Sequence, residues 1–194
     1  MSQPPFTRDD VRAKIRGVVA TLVVTTVVAF VVAAGLFSVV DDTMPTAWPL
    51  LAAAYAVSAG MLASSLACVV VLSRLTKQAR ARFDSGYPWG AGISSRLTKG
   101  EGIADDQRPL AAQYAAALSV HLPLQLAQMV FLYLGLLGVQ LASIAGAETE
   151  DFLAVRIGLA VLVTIAVAVS VPYSLVQIAR VRRFAAENAE LPRR

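Results

Sequence analysis

The chain has 194 residues, of which 57% are hydrophobic and only 15% are charged, whereas soluble domains carry about 25% charged residues. This composition leaves no segment that could bury a separate soluble core. The formal net charge of +4 comes without any nucleic-acid-binding motif, so we expect no nucleic-acid partner. The single cysteine, Cys68, excludes an intrachain disulfide.

Four uncharged, strongly apolar stretches occupy most of the chain. A helix needs about 20 apolar residues to cross the hydrocarbon core of a bilayer, and each stretch is long enough. The sequence therefore predicts a single all-α membrane domain over residues 1–194, built as an up-down bundle of four transmembrane helices. We place these four spans at about residues 17–40, 47–73, 118–143 and 153–179.

A cleaved signal peptide has an apolar core of only 7–15 residues, so we interpret the longer first span as a retained anchor.

The first two spans carry ridges of small residues at steps of four. Small residues allow membrane helices to approach closely, and we expect the ridges of the first two spans to face each other. They comprise Thr21, Thr25, Ala29 and Ala33 in the first span, and Ala52, Ala56, Gly60, Ser64 and Cys68 in the second.

The cytosolic loop, residues 74–108, is the one sizeable segment between spans. Gly86, Pro88, Gly90 and Gly92 interrupt regular structure there. The pentapeptide at residues 73–77, Ser-Arg-Leu-Thr-Lys, recurs at residues 95–99. Basic clusters have low specificity, so we interpret this recurrence as coincidence rather than as a duplicated phosphate-binding element. The loop also has scattered acids, and a lipid-modifying activity within residues 84–108 is one of three functional hypotheses.

The third and fourth spans carry polar residues that we expect to lie at a common depth. The third stretch is longer than one crossing needs, so we expect an N-terminal extension from about residue 106 before the span itself. The polar residues of the third span fall within about 60° on one helical face. Polar side chains in a span usually face the bundle interior. The predicted cavity, open to the cytoplasm, is lined by Tyr114, His121, Gln125 and Gln128 of the third span and by Ser170, Tyr173, Ser174 and Gln177 of the fourth.

Two interpretations of this polar layer remain open: hydrogen bonds that hold the two helices together, which we favour, or a ligand site. His121 is the only histidine. One histidine cannot supply a bis-histidine haem site, and one histidine with one distant cysteine cannot supply a structural zinc site. We therefore expect no cofactor and no metal site. Neither a nucleophile elbow nor an H-E-x-x-H motif occurs in the chain, so we also expect no catalytic residues. The interiors of the spans contain no acidic or basic residue, which argues against proton-coupled transport.

The distribution of charge predicts the orientation. Of the 17 basic residues, 16 lie before the first span, between the second and third, or after the fourth, and Arg156 lies on the other side. The positive-inside rule then places both termini in the cytoplasm. Basic residues beside spans also attract anionic lipid headgroups. We expect such contacts from Arg74, Lys77, Arg80, Arg82, Arg180, Arg182 and Arg183.

These observations favour a non-catalytic membrane protein. Abundant Ala and Val, with Arg preferred to Lys, is typical of a GC-rich bacterial genome, so we expect a bacterial inner (plasma) membrane. The leading hypothesis is an accessory or assembly subunit, or a self-associating bundle, whose partners are anionic lipids and another membrane protein or a second copy. The alternative is a passive channel or carrier for a small polar solute that uses the cavity between the third and fourth spans.

Overall fold

The computed structural model of the chain describes residues 8–39, 48–82, 92–145 and 153–188. Within these ranges 95% of residues are helical and none lies in a strand, which confirms the all-α prediction. The elements, in chain order, are α1 (Arg8–Val39), α2 (Trp48–Arg82), α3 (Ile93–Lys99), a 3₁₀ turn (Asp105–Gln107), α4 (Arg108–Ala145) and α5 (Leu153–Glu187).

Three helical stretches among the described residues are long and apolar enough to cross a membrane: Leu51–Lys77, Asp105–Ala145 and Leu153–Glu187. In α1, the portion whose side chains are described is the shorter apolar helix Arg16–Val32. Pro123 lies inside α4 and Pro172 inside α5, and both helices continue past them. The chain is therefore a helical, membrane-embedded protein with at least these three candidate spans.

The helices divide into two compact units. The single domain and the span boundaries given above remain predictions. The side chains of residues 8–12, 14, 15, 33–39, 48–50 and 78–82 lie outside the described part of the chain. Unit 1 comprises Met1–Lys14, Val69–Leu126 and Val171–Arg194, and unit 2 comprises Ile15–Cys68 and Ala127–Ser170.

In unit 2 the predicted small-residue ridge of α2 is buried. Ala52, Ala56, Ser64 and Cys68 are each at most 2% exposed. A Cβ placed on Gly60 would overlap the hydroxyl of Thr26 and lie 3.0 Å from its Cβ and 3.2 Å from its Cα. At Gly60 the ridge of α2 therefore meets α1, but through Thr26, which lies next to the predicted α1 ridge rather than on it. That the two ridges face each other along their length remains a prediction.

A second close approach in unit 2 joins α2 to α4. A Cβ on Gly135 would lie 2.9 Å from Leu62 Cγ and 3.1 Å from the carbonyl oxygen of Ser58. One turn further along, a Cβ on Gly138 would overlap the Ser58 hydroxyl, which donates to the carbonyl of Ala54 over 2.7 Å. Helix α2 thus packs on two sides in unit 2, and glycines permit the approach on both.

The end of α4 in unit 2 is capped by an arginine of α5. Nη1 of Arg156 donates to the carbonyl oxygen of Ser143 over 2.7 Å. Ser143 is in the last turn of α4, where carbonyls have no partner within the helix and the dipole is negative. The sequence also predicts an ion pair of Arg156 with Asp41 or Asp42, and both aspartates lie outside the described residues.

Unit 1 is organised around the first half of α4. On one side Leu118 belongs to a buried cluster with Leu97 of α3 and Val181 of α5. On another side Leu124 belongs to a buried cluster with Leu72 and Leu75 of α2. The N-terminal extension of the third span is therefore a packed part of unit 1: its Tyr114, Ala115 and Ala117 lie in the cluster with α3 and α5, while the contact with α2 is made farther along by Leu124.

The short helix α3 lies in the segment that sequence analysis treated as an irregular loop. It ends at Gly100, which has the left-handed backbone (φ 76°) that favours glycine, and whose N–H donates to the carbonyl of Arg96. Leu97 is 3% exposed and anchors the helix in unit 1. Nη1 of Arg180 donates to the carbonyls of Lys99, over 2.8 Å, and Thr98, over 3.5 Å. These bonds satisfy carbonyls at the end of α3.

Candidate functional site

The polar stripe predicted on α4 changes its environment along the helix. Tyr114 is 5% exposed and belongs to the buried cluster of Leu97, Leu118 and Val181. His121 and Gln128 are half-buried, whereas Gln125 is exposed. The four residues share a helical face by their spacing, but α3 and α5 pack over the end that carries Tyr114. Farther along the helix, Gln125 is left uncovered.

The polar residues of α5 are less enclosed. The hydroxyl of Ser170 donates to the carbonyl of Ala166 within its own helix, so it needs no partner from another helix. Ser174 and Gln177 are half-buried, and Tyr173 is 62% exposed. A serine bonded to its own backbone and a tyrosine facing outward are not by themselves the lining of a closed cavity.

The eight predicted cavity residues fall into two groups. Six belong to unit 1, where α4 and α5 pack together through Leu118 and Val181. Gln128 and Ser170 belong to unit 2. A single cavity formed by all eight remains a prediction.

The predicted lipid-binding arginines and lysines include two with specific protein contacts. Arg180 donates to the end of α3, as described above, and Arg183 pairs with Glu187 at 3.4 Å on the exposed surface of α5. Exposed pairs of this kind contribute about 0–1 kcal/mol, so Arg183 remains available to a headgroup. The others with described side chains, all exposed, are Arg74, Lys77 and Arg182; the side chains of Arg80 and Arg82 lie outside the described part.

Two of the acids near α3, the segment of the hypothetical lipid-modifying activity, pair with nearby cations. Asp105 lies 3.1 Å from Nε of Arg108, and Glu101 lies 3.8 Å from Nζ of Lys99. Within the described ranges, no three or more His, Cys, Asp or Glu side chains are grouped so as to hold a metal ion. Asp84 lies outside those ranges. The geometry around α3 is thus one of paired surface charges.

Sequence reasoning missed three elements of these surfaces: α3, the Arg180 cap and the glycine approach of α4 to α2. The signal for α3 was the apolar Ile93 and Leu97 four residues apart between Gly92 and Gly100, a helical spacing bounded by glycines. Gly135 and Gly138, three residues apart in an apolar helix, likewise indicate that another helix packs closely there.

Comparison of the chain with protein-family models, with curated proteins and with solved structures finds no match. What the protein does has therefore to be inferred from its own residues.

Proposed function

We propose that this chain is a non-catalytic polytopic membrane protein that acts by associating with another membrane protein or with a second copy of itself. In this proposal α1 is a fourth span, both termini are cytoplasmic, and the membrane is a bacterial plasma membrane. The four helices form an up-down bundle whose outer surface binds both lipid and a protein partner.

The observation that carries the proposal is the exposure of polar side chains within the spans. If the third span begins near residue 118, Gln125 lies about 10 Å inside the hydrocarbon. Tyr173 lies at a similar depth, measured from the C-terminal end of the fourth span near residue 179. Both are exposed on the chain. An amide left facing lipid costs several kcal/mol. A partner helix that hydrogen-bonds these groups removes the cost.

A second observation supports the same proposal. Gly60, Gly135 and Gly138 are each in close contact with another helix, whereas a Cβ on Gly158 of α5 would meet nothing within 4 Å. The most apolar part of α2 is 39% buried within the chain and that of α5 only 6%. Gly158 and the exposed Ala154, four residues apart, form a small-residue pair of the kind that membrane helices use to associate.

Association is tested by purifying the protein from native membranes in a mild detergent and measuring the mass of the complex against the 20.5 kDa chain. We expect a larger assembly, and we expect Gly158→Leu and Gln125→Leu each to weaken it by about fivefold, since a closer packing or a hydrogen bond contributes of order 1 kcal/mol. Gly17→Leu, at an exposed glycine of α1 with open space around it, is the matched control and should leave the assembly intact.

The composition of the assembly separates the two forms of the proposal. A stoichiometric companion identifies an accessory subunit, and a homo-oligomer identifies a self-associating bundle. Association would be contradicted by two results together: the chain extracted from native membranes is a monomer, and Gln125→Leu raises its stability. The second result would mean that the Gln125 amide faces lipid and not a partner helix.

The alternative function is a passive channel or carrier for a small polar solute. It is favoured by the half-buried His121, Ser174 and Gln177, which all belong to unit 1. Solute flux into liposomes that contain only the purified chain, abolished by His121→Leu, would support this function over association.

The orientation is tested by cysteine labelling. In a variant whose Cys68 is replaced by alanine, cysteines at positions 46 and 148 should react with a membrane-impermeant reagent added outside intact cells. Cysteines at positions 85 and 190 should react only after the membrane is opened. All four positions lie outside the described residues, so the test probes topology alone. Labelling of position 85 from outside would overturn the four-span arrangement.

A further inference from the structure

The pentapeptide Ser-Arg-Leu-Thr-Lys has the same local structure in both of its copies. The first copy, residues 73–77, lies in α2, and the second, residues 95–99, is the main part of α3. In each copy the threonine hydroxyl donates to the carbonyl four residues earlier: Thr76 to Leu72 over 2.9 Å, and Thr98 to Ser94 over 3.1 Å. The sequence repeat is therefore also a structural repeat.

Both copies bury their leucine in unit 1. Leu75 and Leu97 are each 3% exposed. Leu75 belongs to the cluster that contains Leu124 of α4, and Leu97 belongs to the cluster that contains Leu118 of the same helix. Leu124 lies six positions after Leu118, which is about 9 Å along α4. The two copies are thus anchored to neighbouring levels of one helix.

Burial of the leucine determines where the cations point. In a helix the Arg and the Lys of each copy, three residues apart, lie about 60° from each other and at least about 100° from the leucine. The four cations are exposed, in keeping with this geometry: Arg74 and Lys77 on α2, Arg96 and Lys99 on α3. Each copy therefore presents one planar guanidinium and one ammonium on a common face.

Both copies lie where the apolar parts of the helices end. Arg74 is the first charged residue after the uncharged stretch of α2. Leu97 is buried with Leu118 and with Val181, which follows Arg180, the first charge after the uncharged stretch of α5. This is the level of lipid headgroups, where an arginine can bind a phosphate with two hydrogen bonds and a lysine adds a point charge.

We propose that the two Ser-Arg-Leu-Thr-Lys segments are a pair of phosphate-binding elements, each holding the headgroup of an anionic phospholipid at the membrane surface. The inference rests on the membrane placement proposed above. It departs from the expectation that the repeat is a coincidence, because a coincidence does not require the same buried leucine, the same hydroxyl bond and the same exposed cations. Glu101 lies 3.8 Å from Lys99 Nζ with both side chains mostly exposed, a contact weak enough for a phosphate to replace.

The proposal is tested on the full chain in phosphatidylcholine bilayers that contain a minor fraction of phosphatidylglycerol. The measured quantity is the relative association constant of spin-labelled phosphatidylglycerol over spin-labelled phosphatidylcholine. We expect Arg74→Gln/Lys77→Gln and Arg96→Gln/Lys99→Gln each to lower it, by about fivefold per cation and at most about 25-fold per pair. Charge-conserving exchange, Arg96→Lys/Lys99→Arg, should retain most of the preference.

Arg182→Gln/Arg183→Gln is the matched control, since it also removes two exposed cations but from outside either copy. These two arginines are expected to attract headgroups only as separate charges, because they point about 100° apart and Arg183 is already paired with Glu187. We therefore expect the control to lower the constant by less than threefold. All variants should unfold at the temperature of the wild type, because the replaced side chains are exposed. Inorganic phosphate should fail to displace the spin-labelled lipid if the site holds a lipid headgroup rather than a free anion.

Equal losses in the control and in both repeat variants would assign the preference to diffuse charge and would overturn the inference while leaving the membrane placement intact. Unchanged constants in the repeat variants would overturn it as well. A wild-type chain that fails to enter the bilayer would instead contradict the proposed function.

Discussion

Gly60→Ala should destabilise unit 2 by about 1–3 kcal/mol, although alanine is the better helix former. The added methyl group would occupy the space of the Thr26 side chain, and rotating that side chain does not relieve the overlap because its Cβ and Cα lie only 3.0 and 3.2 Å away. Helices α1 and α2 must therefore separate, and the contacts along the small-residue ridge weaken together. The measurement is reversible unfolding in mixed micelles, followed by helical signal.

Two substitutions serve as controls for the change at Gly60. Gly17→Ala, where a Cβ meets nothing within 4 Å, should raise stability by about 0.5–1 kcal/mol, because it removes only the backbone entropy of glycine. Ser64→Ala lies one turn from Gly60 on the same ridge, and its hydroxyl has no hydrogen-bond partner among the described residues. This second control should be neutral or stabilising. A Gly60→Ala protein as stable as Gly17→Ala would show that α1 and α2 do not approach at this point.

Leu97→Ala should release α3 from unit 1. A fully buried leucine typically contributes about 2–5 kcal/mol relative to alanine, and α3 has only seven residues, too few to persist as a helix without packing. We therefore expect the amide protons of Ile93–Lys99 to exchange at least about 30-fold faster. Protection in α4 beyond Leu124 should be unchanged. The measurement is hydrogen exchange read by mass spectrometry.

Arg96→Ala is the matched control for the change at Leu97, since Arg96 is the exposed neighbour in the same helix. It should leave the exchange of α3 unchanged. Arg180→Gln should give an intermediate increase, because it removes the donor to the Thr98 and Lys99 carbonyls while Leu97 stays in place. Exchange that is equally fast in the wild type and in Leu97→Ala would mean that α3 is not held by its leucine.

The long helices were predictable because an uncharged apolar run of more than about 20 residues has few alternatives to a membrane span. The buried ridge of α2 was predictable for a similar reason, since Ala52, Ala56 and Gly60 recur at the helical repeat. Helix α3 was not predicted, because glycines and prolines around it indicated a loop. Its seven residues become helical through contacts with Tyr114, Leu118 and Val181, which are distant in the sequence.

For the polar stripe on α4, too, the sequence predicted the helical periodicity but not the tertiary packing. Helical periodicity placed Tyr114, His121 and Gln125 on one face of α4. Periodicity cannot say what covers that face. Tyr114 is buried because residues of α3 and α5 pack over it, whereas Gln125, farther along the same face, is exposed. The partners of such a face are set by tertiary packing, which a single sequence does not encode in any short window.

The arginines at the two ends of α5 have a consequence for the order of biosynthesis. Arg156 binds a carbonyl at the end of α4 and Arg180 binds carbonyls at the end of α3. A ribosome makes both sets of carbonyls before it makes either arginine. Until α5 is inserted, the carbonyls of Thr98 and Lys99 at the end of α3 and of Ser143 at the end of α4 lack these arginine donors. A nascent chain that stops short of α5 thus lacks the donors for both sets of carbonyls, and insertion of the last helix supplies them together.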